Sequence, residues 1–255
     1  RQMCIRDRDY AEWNKTLWDS AVEESSLIQN LKWRAGYLKK YLSSFTVYHF
    51  HDTSVSSPMR GDCNINDNEY LRDNGSNLAA FLYSMMQNDE TNFRLIEGVV
   101  SSIAPYFKCF KLRPDVNDKE RIRLEWEEKE TDMYLNGYSF SDGTLRFIAL
   151  ATLLLQSKTP EVIVIDEPEL GLHPAAINKF AELVKRASNK SQIILSTQST
   201  NLVNCFDVKD IIVVDRIESQ SVFRHLSEED LATWMDEYDL SISDLWEKNM
   251  IGGQL

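Results

Sequence analysis

The sequence predicts an α/β fold built around a parallel sheet, on three observations. Val162-Ile163-Val164-Ile165 is a continuous β-branched run, the mark of a strand buried on both faces. Two helical stretches flank it, the almost wholly apolar Leu145 to Leu155 and the amphipathic Ala175 to Ala187. Two further apolar runs, Ile193 to Leu195 and Ile211 to Val214, read as buried strands, and strands alternating with helices define a layered sheet.

The remaining elements follow in chain order. Residues 11–45 read as helical, with Trp13, Leu17, Trp18, Val22, Leu27, Ile28, Leu31, Trp33 and Leu38 spaced largely by threes and fours. Phe45 to Phe50 is aromatic and β-branched and predicts a strand. Residues 51–77 carry Asp, Ser, Asn, Gly and Pro clusters and predict a long loop, a kind that is usually functional. Asn77 to Met86 and Asn92 to Ala104 predict two helices. Tyr106 to Leu112 predicts a strand, the clean alternation of Arg121 to Trp126 a second, and Asp132 to Tyr138 a partner for it. The tail from Ser227 to Lys248 holds eight acids and one Lys and predicts two short acidic helices, with Ser227 and Asp230 as a capping-box-like start.

Composition narrows the function classes. The 255 residues are 43% apolar and 27% charged, as in a globular protein with a real core. No apolar run approaches the ~18–20 residues needed to cross a bilayer. The net charge of −12 argues against a broad basic face gripping phosphates. Cys4, Cys63, Cys109 and Cys205 show no CxxC spacing, so reduced thiols in a cytoplasmic protein are expected rather than disulfides or a zinc site. The opening residues Met3 to Arg8 have no periodicity and resemble translated adapter sequence. They are expected to be non-native or disordered.

Three motifs carry chemistry. The run Val162 to Ile165 ends in Asp166-Glu167-Pro168, two carboxylates at the strand tip, the edge where ligands of open α/β sheets sit. An Asp there can hold hydrated Mg²⁺, because magnesium takes hard oxygen ligands and keeps waters. The adjacent Glu can accept a proton from an attacking water. Phe140-Ser141-Asp142-Gly143-Thr144 opens the apolar helix, with Ser141 25 residues before Asp166. A helix N-terminus with free N–H groups suits an anion. Leu195-Ser196-Thr197-Gln198-Ser199 stands at the tip of the next strand, where a polar side chain could touch a γ-phosphate or the attacking water. Each motif alone also admits a plainer reading: a polar turn ending a strand, a Ser N-cap, and a strand-to-helix turn capped by Ser199.

Their order is more specific than any one of them. Ser-x-Gly opening a helix, strand-Asp-Glu-Pro, Glu169-Leu170-Gly171-Leu172-His173-Pro174 and strand-Ser-Thr-Gln together resemble the ATP-binding-cassette ATPases. Tyr48-His49-Phe50-His51-Asp52-Thr53-Ser54, Asn77 to Tyr83, Ser141 to Phe147, Glu167 to Pro174, and Leu245 to Asn249 with Gly252-Gly253 resemble the prokaryotic AAA-family ATPases of the AAA-15/21 type, relatives of RecF and of the structural-maintenance-of-chromosomes (SMC) proteins. The resemblance runs from about residue 20 to the end. It implies part of an ABC-type P-loop NTPase head, with parallel core strands flanked by helices, a helical or loop insertion and a small β-element. The expected divisions are residues 1–10, a lid insertion over 11–105 containing the loop 51–77, and the C-terminal part of the head over 106–255 with its acidic tail.

The resemblance also implies roles. Ser141, Asp142, Gly143 and Thr144 look like the signature motif, with Asp142 replacing a usual Gly. Asp166 looks like the Walker B ligand for Mg²⁺, through water, and Glu167 like the catalytic base. Glu169 to His173 look like the D-loop, where His173 faces a partner subunit, and Gln198 holds the switch position. The implied activity is hydrolysis of ATP to ADP and phosphate by a cytoplasmic homodimer with nucleotide between two subunits, in DNA repair or phage defence. DNA is a partner by kinship only. A nucleotide-gated clamp that does not hydrolyse, or a transporter ATPase subunit, are the alternatives.

One departure stands out. The chain contains no G-x-x-x-x-G-K-[ST]; its nearest candidate, Gly36-Tyr37-Leu38-Lys39-Lys40, lacks the glycine pair and the Ser/Thr. In the resembled family this loop lies upstream, so the expectation is that a preceding segment carries it and that residues 1–255 alone are inactive. Among weaker signals, His49 and His51 share a strand face and read as packing or a γ-phosphate-side contact, a metal pair lacking an evident third ligand. Arg146 reads as a phosphate contact across the dimer or a surface ion pair. Arg60-Gly61-Asp62 reads as a chance adhesion tripeptide.

Overall fold

The computed structural model describes residues 45–131, 133–218, 220–227, 231, 240–248 and 250–252. The expected helix over 11–45, the opening residues and Gly36 to Lys40 lie outside them, apart from Phe45. The chain divides into two compact units, Arg1–Thr46 and Val47–Leu255, and the described residues fall almost wholly in the second.

Burial organises that unit around one helix. Helix α3, Asp142–Leu155, is buried at every residue from Thr144 to Leu155. At ~1.5–3 kcal/mol for each fully buried large apolar side chain, this burial and not helix propensity fixes α3 in place. It packs against α2, Glu90–Ile103, and α4, Pro174–Ala187, while α1, Leu78–Asn88, packs on α2. Helix α4 shows the expected amphipathy, with Ile177, Phe180, Leu183 and Val184 turned inward.

The parallel strands lie beside this layer. Strand β7, Val162–Asp166, stands between β1, Thr46–Tyr48, and β8, Gln192–Ser196. Strands β7 and β8 run parallel in a register that sets Asp166 opposite Ser196. Strand β7 is central, as its composition predicts. Strand β8 departs from expectation: Ile193 and Leu195 are half-buried and Ile194 is 46% exposed, so it is not a buried strand. Among the described residues it is an edge of the sheet, as β1 is the other.

Two antiparallel pieces complete the architecture. Strands β3, Phe107–Phe110, β5, Glu125–Glu128, and β6, Tyr134–Asn136, form one sheet in the order β3-β5-β6. The alternating run Arg121 to Trp126 splits in two. Strand β4, Arg121–Ile122, pairs with β2, Cys63–Asn64, inside the long loop, and only from Glu125 does the chain join β3 and β6. Its burial alternates throughout as expected, but the hydrogen-bonding partner changes at residues 123–124. Strand β9, Ile212–Ile217, is not a member of the parallel sheet. It pairs antiparallel with β10, Gln220–His225, and leaves Ile212, Val214 and Phe223 exposed. A second small core, including Val213, Leu226, Leu245 and Ile251, lies under this hairpin. In the tail, Ile242–Glu247 forms a short helix with a capping box between Ser241 and Asp244. The start proposed at Ser227 and Asp230 extends outside the described residues.

Candidate functional site

The strand tips gather the polar residues. Asp166 ends β7, and one of its carboxylate oxygens accepts the hydroxyl of Ser196 from the paired position on β8. The chain then turns sharply. Glu167 adopts a left-handed conformation, φ 38°, uncommon for a residue with a side chain. Its N–H donates to the Ser196 carbonyl at 2.9 Å and its own carbonyl accepts from Leu170 N–H at 3.2 Å, which hold the turn. The Glu167 carboxylate receives Nε2 of Gln198 at 3.4 Å, bringing together the expected base and the expected switch residue. Thr197 donates to Oε1 of Glu169 at 2.6 Å, whereas Oε2 of Glu169 is buried with no hydrogen-bond partner among the described residues. A buried carboxylate oxygen without a partner is costly.

The start of α3 is built separately. Ser141 caps the helix: its hydroxyl accepts Thr144 N–H at 3.2 Å and bonds the Thr144 hydroxyl at 2.8 Å. Ser141 and Asp142 are exposed, Gly143 is half-buried and Thr144 is buried, its hydroxyl also reaching the Tyr106 phenol at 3.2 Å. Phe140, just before the cap, stacks on Trp126 with ring centroids 4.5 Å apart and planes at 16°, which ties the helix start to the β3-β5-β6 sheet. Gly143 touches the segment after β7: a Cβ there would meet the Gly171 carbonyl oxygen at 2.4 Å. Gly171 has φ 74°, which suits glycine. Beyond it, exposed His173 caps α4, its Nδ1 accepting Ala175 N–H at 3.2 Å. The Nδ1 lone pair is therefore spent within the chain.

Two arginines link these parts, and the sequence reading missed both roles. Arg146 is neither a phosphate ligand at the surface nor a surface ion pair. It is 4% exposed, with Nε donating to the Phe50 carbonyl at 2.9 Å and Nη2 to the His51 carbonyl at 2.8 Å. Burial lowers its pKa from the usual guanidinium value. Arg60, also buried, donates to the carbonyls of Thr53, Gly137 and Phe140 and, at 2.7 Å, to the Asp142 carboxylate. It locks the long loop onto the start of α3 and is unavailable for adhesion. His51 in turn places Nε2 2.8 Å from the Asp166 carbonyl. Nothing local in the sequence marks these contacts, since Arg60 and Arg146 lie 82 and 95 positions from Asp142 and His51 respectively.

The order of a capped signature-like helix, a carboxylate-tipped central strand and a polar-tipped neighbour defines an ATPase-type head. The family described as "AAA domain, putative AbiEii toxin, Type IV TA system" matches residues 30–204, more than half of the chain, and the chain belongs to that family of P-loop ATPases. Curated relatives include ABC transporter A family member 11 of Dictyostelium discoideum, 30% identical over 39% of this chain and 13% of that protein. The Old nuclease of Escherichia phage P2 is 31% identical over 39% of this chain and 19% of its own length. EcfA2, an energy-coupling factor transporter ATP-binding protein of Staphylococcus aureus, is 26% identical over 50% of this chain and 46% of its length. The matched part of the chain thus spans less than half the length of each. Among solved structures, the Smc head domain of Pyrococcus furiosus with an extended coiled coil, bound to the C-terminal domain of ScpA, has TM-score 0.46 and 20% identity, covering 62% of this chain and 40% of that one. A chain from work on ATP-driven dimerization and DNA-stimulated activation of SMC ATPases has the same score and identity, covering 62% of this chain and 98% of that one. Among the described residues no helix is long and apolar enough to cross a membrane.

Proposed function

We propose that the whole protein hydrolyses ATP to ADP and phosphate as a cytoplasmic dimer, with nucleotide held between two heads. The observation that carries this reading is Glu167: a carboxylate held in a left-handed turn at the tip of the central strand, its oxygen met by Gln198. A left-handed residue with a side chain costs about 1–2 kcal/mol, and such positions occur in turns and cluster at functional sites.

In this reading Glu167 accepts the proton of the attacking water, and Gln198 orients that carboxylate and senses the γ-phosphate. Asp166 suits magnesium in its donor chemistry, a carboxylate beside a hydroxyl, and holds it through water. The ion supplies neutralisation of charge developing on the phosphate oxygens. Ser141, Asp142, Gly143 and Thr144 present the exposed N-terminus of α3, with its free N–H groups and positive dipole end, to the nucleotide held by the partner subunit. Exposed His173 stands on the same partner-facing side, with the D-loop segment that Gly143 touches. The opening of the dimer on hydrolysis then acts in DNA repair or phage defence. Kinship with RecF-type ATPases supports that placement, while the net charge of −12 does not favour DNA contact through this part of the protein.

Glu167→Gln in the full-length protein tests the reading. Loss of the base lowers turnover by ~10²–10⁴-fold while nucleotide binding survives and ATP-bound dimers accumulate. Unchanged turnover overturns the assignment.

A further inference from the structure

We propose that His49, His51 and Asp166 form a site for a borderline divalent transition-metal ion of the zinc class. The two histidines follow β1 on alternate positions, and their rings lie side by side. Strand β7 lies beside β1 and brings the Asp166 carboxylate to them, the third ligand that the sequence did not reveal. One ligand atom from each residue lies within 4.8 Å of the others. The imidazole rings stand edge to face with centroids 5.9 Å apart, so their nitrogens can converge without stacking.

The backbone of this site is held before any ion arrives. His49 N–H donates to the Asp73 carbonyl at 2.9 Å, and buried Arg146 holds the Phe50 and His51 carbonyls. His51 Nε2 lies 2.8 Å from the Asp166 carbonyl, which holds the ring beside Asp166. With metal–ligand bonds of about 2.0–2.2 Å, ligand atoms stand roughly 3.3–4.2 Å apart, so the cluster needs to close by ~1 Å. His49 is exposed and can supply that by side-chain rotation.

The donor set selects the ion. Imidazole nitrogen suits zinc, cobalt and nickel, whereas magnesium prefers oxygen and keeps its waters. Three protein ligands leave at least one position open, for water or another oxygen donor. The site shares Asp166 with the magnesium role assigned above but requires neither nucleotide nor that role.

The test uses the full chain after treatment with chelator, titrated with Zn²⁺ by calorimetry and with Co²⁺ by visible absorption. The expected result is one ion per chain, not displaced by equal Mg²⁺. His49→Ala and His51→Ala each weaken binding at least ~10-fold, His49→Cys restores it, and His225→Ala leaves it unchanged. Should His51→Ala fail to fold, the exposed His49 pair of variants still decides. Absence of saturable binding, unchanged affinity in His49→Ala, or a cobalt–thiolate spectrum in the unmodified chain overturns the proposal.

Discussion

Replacing Gly143 by Ala probes the contact between the start of α3 and the segment after β7. The added Cβ would lie 2.4 Å from the Gly171 carbonyl oxygen, 3.4 Å from its carbon and 3.8 Å from the Leu172 Cα. Comfortable separation begins near ~3.5 Å, so the two backbones must part by roughly 1 Å. All three atoms are backbone and none can rotate away. Overpacking of this kind costs about 1–3 kcal/mol, against about 0.5–1 kcal/mol gained from Ala over Gly within a helix. The net is a loss of about 0–2.5 kcal/mol, or a fall in Tm of up to roughly 10 °C for a unit of this size. Gly98→Ala is the matched control. It lies in α2 with nothing among the described residues within 4 Å of the new Cβ, so the helix gain acts and Tm rises. Scanning calorimetry of both variants and the parent decides. A Gly143→Ala chain that gains as much stability as Gly98→Ala refutes the close approach.

Other substitutions test the linking contacts. Arg60→Ala leaves the Thr53, Gly137 and Phe140 carbonyls without their guanidinium donor and is expected to cost about 2–4 kcal/mol by chemical denaturation. Arg60→Lys does not recover this, because one ammonium cannot span the fork; a neutral Arg60→Ala contradicts the clamp. Glu127 is held down to about 2 by the Lys108 ammonium and then by Lys111. Its folded pKa lies below the ordinary 4.5, so the stabilisation is fully present above pH 4.5 and is lost as pH falls through 2. Glu127→Gln therefore lowers Tm at neutral pH, and the difference from the parent closes between pH 4.5 and 2. A difference independent of pH would show that the carboxylate charge is not the cause.

Legibility in the sequence followed the range of the interaction. Helices α1 to α4 and β7 were readable because burial imposes its period on neighbouring residues, as the buried run Thr144 to Leu155 shows. Ser141, Asp166 and Gln198 could be placed at element ends for the same reason. Apolar content misled where a strand's neighbours, not its own residues, decide exposure. Ile193 to Leu195 reads as buried, yet β8 is an edge among the described residues. The run Ile211 to Val214 reads as a buried strand, yet β9 pairs antiparallel with β10 and leaves Ile212 and Val214 exposed. The alternation of Arg121 to Trp126 records sidedness, while the change of partner from β2 to β3 and β6 depends on distant segments. The clamps made by Arg60 and Arg146, and the approach of His51 to Asp166, join residues 77 to 115 positions apart and leave no local signature.

Complementation between two damaged chains tests the nucleotide sandwich most directly. Ser141→Glu sets a negative charge where the partner's γ-phosphate is proposed to arrive, at an exposed cap where Glu should be tolerated. Glu167→Gln removes the base. Each full-length variant alone is expected to lack turnover. In a mixed dimer one composite site pairs an intact Glu167 with an intact Ser141, and the other carries both lesions. The mixture is therefore predicted to regain ATP hydrolysis that neither variant shows alone. If crosslinking confirms that mixed dimers form with ATP and turnover stays absent, independent sites shared between two subunits are contradicted.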